Sequence, residues 1–179
     1  GRVGLYQVMP ITESIQRILA HQLRSAGAGP VVENVEVAAL VARGAEMVAP
    51  AMLQRLRLNF DPSLGMLGTL PLPRVLLQQV VQNLVLNAAE AARAGGGTLH
   101  VSAQLLESDD GEALLLRFVD DGDGIEPPHL PRVFEKGFST KSSGTNLGIG
   151  LHWCANALHA VGGSLRADSA GRGCGATLE

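Results

Sequence analysis

Aromatic side chains are scarce in this 179-residue chain, and long apolar runs are missing. Aromatic residues make up 3% of the sequence and hydrophobic residues 46%, so the core must consist mainly of leucine, valine, alanine and isoleucine. No segment approaches the roughly 18 apolar residues that a membrane-spanning helix needs, and the first residues lack the apolar stretch of a signal peptide. The length is sufficient for one well-buried core.

Charge and cysteine content also exclude several classes of protein. The 14 basic and 17 acidic residues nearly balance, so we expect no binding to nucleic acid or to an anionic membrane. The two cysteines, Cys154 and Cys174, fit no metal-site spacing and no disulfide framework. We expect both to be small core residues of a cytoplasmic domain, whether or not the full-length protein is anchored in a membrane.

Hydrophobic periodicity predicts the order of helices and strands. The predicted helices cover residues 11–25, 37–49, 74–94 and 147–161. The predicted strands cover residues 31–37, 55–60, 98–106 and 113–119, with two short strands within residues 164–179. This order favours an α+β fold, a two-layer sandwich with helices on one face of a mixed, mostly antiparallel sheet. We expect residues 1–28 to be a separate helical piece with a linker and residues 29–179 to form the main domain.

Two asparagines lie beside the apolar stripe of the third predicted helix. Asn83 and Asn87 are one helical turn apart and share a face. A buried amide costs free energy unless it is hydrogen-bonded, so the pair needs partners. Local hydrogen bonds would serve, but an amide oxygen is also a suitable hard ligand for Mg²⁺. The spacing alone leaves both interpretations open.

An acidic, glycine-rich turn, VDDGDGI, follows the strand predicted at 113–119. Asp120 stands where this strand leaves the sheet, and its carboxylate can accept a hydrogen bond from an exocyclic amine such as adenine N6. Gly122 and Gly124 would allow the backbone to approach a flat ligand. A calcium loop would continue with regularly spaced oxygen ligands and a later glutamate, and this pattern is broken. A plain tight turn is the remaining alternative.

A second glycine-rich stretch lies between residues 132 and 150. Phe134 and Phe138 could anchor it to the body of the domain, and we expect about residues 126–146 to form a lid over the ligand. Its candidate phosphate-binding residues are Thr140, Lys141, Gly144, Gly148 and Gly150. Backbone N–H groups at a glycine-rich helix entry can receive phosphate oxygens, assisted by the helix dipole. The stretch is not a Walker loop, and it does not follow a strand of a βαβ unit.

Together these segments resemble the ATP-binding catalytic domain of sensor histidine kinases, in the wider family of DNA gyrase B, the Hsp90 chaperones and MutL. NLVLNAAEA matches the N box, DDGDGI the first glycine box, RVFEKGFSTK the F box and GTNLGIGL the second glycine box. GRGCGATLE resembles the last glycine box. The resemblance covers about residues 33–179 and implies the Bergerat ATP-binding fold. One departure is Asn146, where the family usually has glycine.

The resemblance implies ATP and Mg²⁺ as ligands and assigns roles to individual residues. Asn87 would be the Mg²⁺ ligand, Asn83 and Lys141 would assist phosphoryl transfer, and Asp120 would read the adenine. The other implied nucleotide-binding residues are Gly122, Gly124, Ile125, Phe134, Phe138, Thr140, Gly144, Thr145, Leu147, Gly148, Gly150 and Thr177.

The residue one turn before the implied Mg²⁺ ligand separates a kinase from an ATPase. In the ATP-hydrolysing relatives a glutamate at that position activates water. Here the position is Asn83, and an amide cannot accept a proton as a base. We therefore expect a histidine kinase, with an ATPase clamp of the gyrase B or MutL kind and a non-catalytic nucleotide-binding module as alternatives.

A histidine kinase implies three partners: a phosphoacceptor histidine on a dimerisation helix, a second copy of the chain in a homodimer, and a response regulator protein. LAHQLRS around His21 superficially resembles the acceptor motif but lacks its proline. The chain from His21 to Asn87 is also too short to hold the rest of a dimerisation domain. We expect the acceptor upstream of Gly1 and residues 1–28 to end that domain. The other helix histidines and His129 are expected at the surface or in helix packing.

Overall fold

A computed structural model of the chain describes residues 30–108, 111–138, 140 and 148–179. The strands are β1 (Glu33–Glu36), β2 (Leu56–Phe60), β3 (Thr69–Leu72), β4 (Gly97–Ser108), β5 (Gly111–Asp120), β6 (Ala167–Asp168) and β7 (Ala176–Leu178). The helices are α1 (Val37–Glu46), α2 (Pro50–Leu53), α3 (Ser63–Met66), α4 (Arg74–Ala91) and α5 (Gly150–Ala160), with a 3-10 helix at Pro127–Arg132. The helix predicted at 11–25 lies outside the described residues.

The main sheet has five strands in the order β2-β4-β5-β7-β6. The β2–β4 pair is parallel, and the other three pairs are antiparallel. Residues Leu99, Val101 and Ala103 alternate along β4 and are buried, as expected for a strand with one face against a core. The core continues through the buried residues of α1, α4 and α5. The predicted two-layer α+β sandwich is therefore confirmed.

A second, two-stranded sheet differs from the prediction. The predicted edge strand β1 pairs antiparallel with β3 rather than joining the main sheet. Because β3 carries Pro71 and ends before Pro73, its sequence reads as a loop; proline is tolerated in strands only at edges. An ion pair between Arg74 and Glu33 fastens the helix start beside this sheet.

The central helix α4 contacts both the sheet and α1. Its stripe of Leu76, Val80, Leu84 and Ala88 is buried, as the periodicity predicts. Helix α1 crosses α4 at Gly44, where an added Cβ would lie 2.7 Å from the Val81 side chain and 2.9 Å from the Gln78 carbonyl oxygen. The glycine thus permits the close approach of two helices.

Gly44→Ala should lower the free energy of unfolding by about 1–3 kcal/mol, because overpacking forces the two helices apart. Gly65→Ala in α3 is the matched control, since no atom lies within 4 Å of the added Cβ. Urea unfolding of both variants measures the difference. Equal stability of the two variants would contradict the close helix crossing.

The two cysteines have different environments. Cys154 is buried, as predicted, and burial raises the pKa of its thiol. The prediction is wrong for Cys174, which is exposed, because it follows a turn whose backbone is bonded to the loop after β5. None of the described helices combines the length and apolar character needed to cross a bilayer.

Candidate functional site

The loop after β5 lies against the end of α4. The Asp123 N–H donates a hydrogen bond of 3.0 Å to the Ala91 carbonyl oxygen. Ala91 is one helical turn beyond Asn87 on α4, so it lies on the same side of the helix. The structure therefore brings together the acidic turn and the asparagine stripe, which are distant in sequence.

Asp120 ends β5 with a carboxylate that is largely removed from water. Its Oδ1 accepts a 2.9 Å hydrogen bond from the Gly122 N–H, and the Ala176 backbone supplies another hydrogen bond. Burial raises the pKa of Asp120 to about 6, and the nearby acids Asp121 and Asp123 add to the increase. A carboxyl with a raised pKa at a strand end is a candidate for binding a ligand.

The raised pKa of Asp120 has a consequence for the nucleotide-free protein. Between pH 4 and pH 6 an unfolded chain loses the Asp120 proton while the folded domain keeps it. The contribution of Asp120 to the free energy of unfolding is therefore fully present below pH 4 and is lost as the pH rises through about 6. The loss amounts to about 3 kcal/mol.

Asp120→Asn should remove this loss, so the variant should be more stable than the wild-type domain at pH 7 but not at pH 4. Urea unfolding at pH 7 and pH 4 measures the difference in stability between the variant and the wild-type domain. Asp168→Asn, which changes an exposed carboxylate of β6, is the control. The same pH dependence in the wild-type protein and Asp120→Asn would refute the assignment.

Helix α4 presents three buried amides at four-residue spacing: Gln79, Asn83 and Asn87 are 7%, 5% and 5% exposed. Asn83 Nδ2 donates a 3.0 Å hydrogen bond to the Gln79 backbone carbonyl oxygen. Both amide atoms of Asn87, and Oε1 of Gln79, are buried without a partner among the described residues. An unpaired buried amide costs about 1–3 kcal/mol, so the stripe favours an additional ligand.

Gln79 was not singled out from the sequence, although its spacing could have revealed it. It precedes Asn83 by the same four residues that separate Asn83 from Asn87. The three side chains therefore follow one helical stripe beside the apolar one. The repeat of amide residues at four-residue spacing is the sequence signal that marks Gln79.

The glycines of the turn make contacts within the protein. An added Cβ at Gly122 would lie 2.5 Å from the Ala91 carbonyl oxygen, and one at Gly124 would lie 2.2 Å from the Gly171 carbonyl oxygen. Gly124 also has a positive φ of 72°, which favours glycine. The missing side chains thus let the turn pack on α4 and on the last glycine box. Their predicted contact with a ligand remains a prediction.

Ile125 is 2% exposed and belongs to the hydrophobic core. Its N–H donates to Ser169 Oγ at 2.9 Å, and that hydroxyl donates to the Gly175 carbonyl oxygen at 2.6 Å. The structure therefore assigns the Ile125 side chain to packing and its backbone to the connection between the two glycine boxes.

Thr177 does not face the Asp120 carboxylate. In the antiparallel pair of β5 and β7, Thr177 is opposite Val119, whereas Ala176 is opposite Asp120. Paired residues project from the same face of a sheet, and neighbouring residues project from opposite faces. Thr177 thus lies on the face of Val119, away from the carboxylate. The prediction that Thr177 contacts a nucleotide held by Asp120 is therefore wrong. The residue paired with Asp120 on the same face of the sheet is Ala176.

Arg93 joins the loops on the two sides of Asp120. Its Nη2 donates a 3.3 Å hydrogen bond to the Gly122 carbonyl oxygen and a second hydrogen bond to that of Gly173. The Gly173 N–H donates to the Asp123 carbonyl oxygen at 2.6 Å. These contacts hold the two glycine boxes together after α4 ends. No sequence pattern marks Arg93, because both partners are backbone carbonyls brought near by the fold.

Arg93→Ala should loosen both loops and weaken nucleotide binding about three- to tenfold, because about 1 kcal/mol of net hydrogen bonding is lost. Arg93→Lys should retain part of the affinity, since an ammonium can reach one carbonyl. Titration with a fluorescent adenine nucleotide measures the change, with Arg57→Ala, an exposed arginine of β2, as the control. Unchanged affinity in Arg93→Ala would contradict the role.

The described part of the F box packs onto α5. Phe134 and Phe138 are half-buried and pack against the core. His152 Nδ1 lies 2.9 Å from the Phe134 carbonyl oxygen. The ring centres of Phe138 and His129 are 5.5 Å apart. The Arg132 guanidinium lies 4.7 Å from the centre of the Phe138 ring. His152 and His129 thus contact the two phenylalanines at the base of the predicted lid.

Of the second glycine box, the structure describes the residues from Gly148 onward. The φ of Gly148 is 62° and its carbonyl oxygen accepts a 3.0 Å hydrogen bond from the Gly137 N–H. Gly150 is buried and starts α5, and Thr140 is half-buried. The remaining predicted residues of the lid lie outside the described residues: Lys141, Gly144, Thr145 and Leu147.

The sequence profile of one family matches more than half of the chain. The family is described as "Histidine kinase-, DNA gyrase B-, and HSP90-like ATPase", and the match covers residues 73–179. This range includes α4, the acidic turn after β5 and the last glycine box. The chain therefore belongs to this family.

The relatives are longer sensor proteins. The C4-dicarboxylate transport sensor protein DctB of Pseudomonas aeruginosa is 30% identical over 170 residues, which are 92% of this chain and 27% of that protein. The sensor histidine kinase TmoS of Ectopseudomonas mendocina is 28% identical over 185 residues, covering 93% of this chain and 18% of that protein. The chain thus spans about a quarter or less of the length of these relatives.

Solved structures share the fold. The mycobacterial sensor histidine kinase MprB superposes with a TM-score of 0.66 at 22% identity, covering 83% of this chain and 94% of that chain. Full-length ShkA in complex with AMPPNP gives a TM-score of 0.64 at 22% identity, covering 93% of this chain and 35% of that chain. The family match and the relatives confirm the predicted resemblance to the ATP-binding catalytic domains of sensor histidine kinases, and the solved structures confirm the predicted fold.

Proposed function

We propose that this chain is the part of a two-component sensor kinase that binds Mg·ATP and transfers its γ-phosphoryl group to a histidine. One observation carries the proposal. A desolvated acid, Asp120, and an unpartnered buried amide, Asn87, belong to segments joined by the hydrogen bond from Asp123 to Ala91. One group suits a purine amine, and the other suits a hard cation beside a phosphate chain.

The residues fit the proposed nucleotide at both ends. Asp120, when ionised, can accept a hydrogen bond from the adenine amine, and its Oδ1 is already oriented by the Gly122 N–H. Asn87 offers an amide oxygen with no partner among the described residues, so it would hold Mg²⁺ without first breaking a bond. The ion, when bound, would neutralise charge on the phosphates, which is a main requirement of phosphoryl transfer.

The proposed transfer makes one bond and breaks one. A nitrogen of the acceptor imidazole attacks the γ-phosphorus, the bond from that phosphorus to the β,γ-bridging oxygen breaks, and ADP leaves. Asn83 donates its Nδ2–H to the Gln79 carbonyl and has no basic group to activate water. The site should therefore position ATP for a supplied nucleophile rather than hydrolyse it.

The partners in this proposal lie outside the described residues. The phosphoacceptor would be a histidine helix of the same homodimer, located upstream of Gly1, and residues 1–28 would end that dimerisation domain. The phosphoryl group would then pass to a response regulator protein. Lys141, Thr140 and the glycines that precede α5 would contact the phosphates from the lid, and the domain would work in the cytoplasm.

Phosphorylation of a supplied acceptor domain tests the function. The chain is mixed with γ-³²P-ATP, Mg²⁺ and the separately produced dimerisation domain from upstream of Gly1. We expect an acid-labile, alkali-stable label on the acceptor histidine, and no label when that histidine is replaced by alanine. Released phosphate is measured in parallel without the acceptor.

Each alternative function predicts a different result in this assay. Steady phosphate release without the acceptor, and no labelled histidine, would indicate an ATPase clamp. Nucleotide binding with neither label nor phosphate release would indicate a non-catalytic module. Either result would overturn the kinase proposal.

A further inference from the structure

Ser169 lies between β6 and the last glycine box and is half-buried. Its Oγ accepts a 2.9 Å hydrogen bond from the Ile125 N–H and a 3.3 Å hydrogen bond from the Gly171 N–H. It donates to the Gly175 carbonyl oxygen at 2.6 Å, whereas the Gly171 carbonyl oxygen is 3.4 Å away. A hydroxyl has one proton to donate and two lone pairs that accept. These contacts therefore use the full bonding capacity of the Ser169 side chain.

The peptide unit between Gly175 and Ala176 connects this hydroxyl to Asp120. Its carbonyl oxygen accepts the hydrogen bond from Ser169, and its N–H donates to the Asp120 carboxylate. None of the described peptide bonds is cis, and in a planar trans peptide the C=O and N–H groups point in opposite directions. Ser169 thus holds one end of a rigid unit whose other end contacts Asp120. Hydrogen bonds in such a chain also polarise one another.

The acidic turn itself does not depend on Ser169 alone. The Gly175 N–H donates a 3.1 Å hydrogen bond to the Gly122 carbonyl oxygen. The side chain of Ile125 is buried in the core, which retains this end of the turn when its N–H loses the Ser169 hydroxyl. Loss of the hydroxyl should therefore affect the orientation of the peptide after Gly175 more than the path of the turn.

We propose that Ser169 is a positioning residue for purine recognition, which acts through the Gly175–Ala176 peptide to orient the Asp120 carboxylate toward the adenine amine. Two backbone N–H groups bind this carboxylate. That of Gly122 belongs to the same turn, whereas that of Ala176 comes from β7 and is oriented by Ser169. The inference rests on the proposed function, because it takes Asp120 as the group that reads the purine. It adds a determinant of selectivity that does not itself contact the nucleotide.

Titration with ADP and with purine riboside diphosphate tests the role, because the second nucleotide has hydrogen in place of the exocyclic amine. The complete 179-residue chain should prefer ADP. Ser169→Ala should weaken ADP binding about three- to tenfold, the effect of one lost hydrogen bond, and leave the affinity for the second nucleotide unchanged to within about twofold. Ser169→Thr keeps the hydroxyl and should retain the preference. Ser164→Ala, which changes an exposed serine just before β6, is the control.

A double variant separates this inference from the proposed function. Asp120→Asn alone should lose the preference for ADP, and adding Ser169→Ala should reduce it no further, because both changes act on one contact. Equal affinity of the wild-type protein for the two nucleotides, or a full preference in Asp120→Asn, would refute purine recognition by Asp120 and the inference with it. A preference that is lost in Asp120→Asn but complete in Ser169→Ala would overturn the inference alone.

A purely structural role of Ser169 gives a different result. It would lower the affinity for both nucleotides equally, or make the loss in Ser169→Thr as large as that in Ser169→Ala, and either result would overturn the positioning role. Circular dichroism verifies that each variant is folded. If Ser169→Ala is unfolded, Ser169→Cys takes its place, since a thiol has a similar shape and is a weaker donor. The same selective loss of ADP affinity is expected.

Discussion

Asp120→Asn is expected to weaken adenine nucleotide binding by about 10²-fold or more, the effect of leaving a buried polar group of a recognition site mismatched. The carboxylate of Asp120 can only accept hydrogen bonds when ionised. An asparagine in the same place turns an N–H₂ group or a weaker acceptor toward the purine amine. Isothermal titration with ADP and with ATP measures the affinity, and Asp168→Asn is the matched exposed control.

Two further observations make this test specific. The variant should be more stable than the wild-type domain at pH 7, so lost binding cannot be attributed to unfolding. In the wild-type protein the affinity should also fall as the pH drops below about 6, where Asp120 takes up its proton, and Asp120→Asn should lack that dependence. Wild-type affinity in Asp120→Asn would exclude this carboxylate as the purine-binding group.

Asn87→Asp is expected to reduce Mg²⁺-dependent transfer by about 10²-fold or more while changing nucleotide affinity much less, because charge placement mainly affects the reacting phosphate. A carboxylate in this buried position alters both the charge and the ion geometry. Single-turnover transfer to the acceptor domain at several Mg²⁺ concentrations measures the effect. Asn34→Asp, which changes an exposed amide of β1, is the control.

Asn87→Ala provides a second measure of the same residue. Because neither amide atom of Asn87 has a partner among the described residues, its removal breaks no hydrogen bond of the nucleotide-free fold. Thermal unfolding should therefore change little, whereas stabilisation of the protein by added Mg·ATP should decrease. Full transfer and full Mg²⁺ dependence in both Asn87 variants would refute the assignment.

The pattern of helices and strands was predictable because it depends on local periodicity. The stripe of α4, the β4–β5 hairpin and the short terminal pair β6–β7 all follow from residues close in sequence. Strand β3 did not follow, because its two neighbouring prolines suggest a loop and only pairing with β1 makes it a strand. The short helices α2 and α3 were missed because four residues carry too little periodicity.

The candidate site was predictable to the level of motifs. Asp120, Asn83 and Asn87 were singled out by residue type and spacing, and the structure gives two of them unusual environments: a desolvated carboxylate and an unpaired amide. Thr177 was misplaced because a sequence does not reveal strand register. A shift of one residue exchanges the faces of a strand, and the pairing of Asp120 with Ala176 decides the matter.

The sequence by itself determined the family and the fold class, and it singled out the residues proposed to carry chemistry, because these depend on ordered motifs and local spacing. Only the tertiary structure decided which segments lie together, since contacts such as Arg93 with Gly173 and Asp123 with Ala91 join stretches that are distant in sequence. It also revealed that backbone atoms of other segments occupy the space where a Cβ of Gly122 or Gly124 would lie. An apolar cavity beside the start of the described chain is likewise a feature of the tertiary structure. Close packing between separate segments sets these features, and no single segment encodes them.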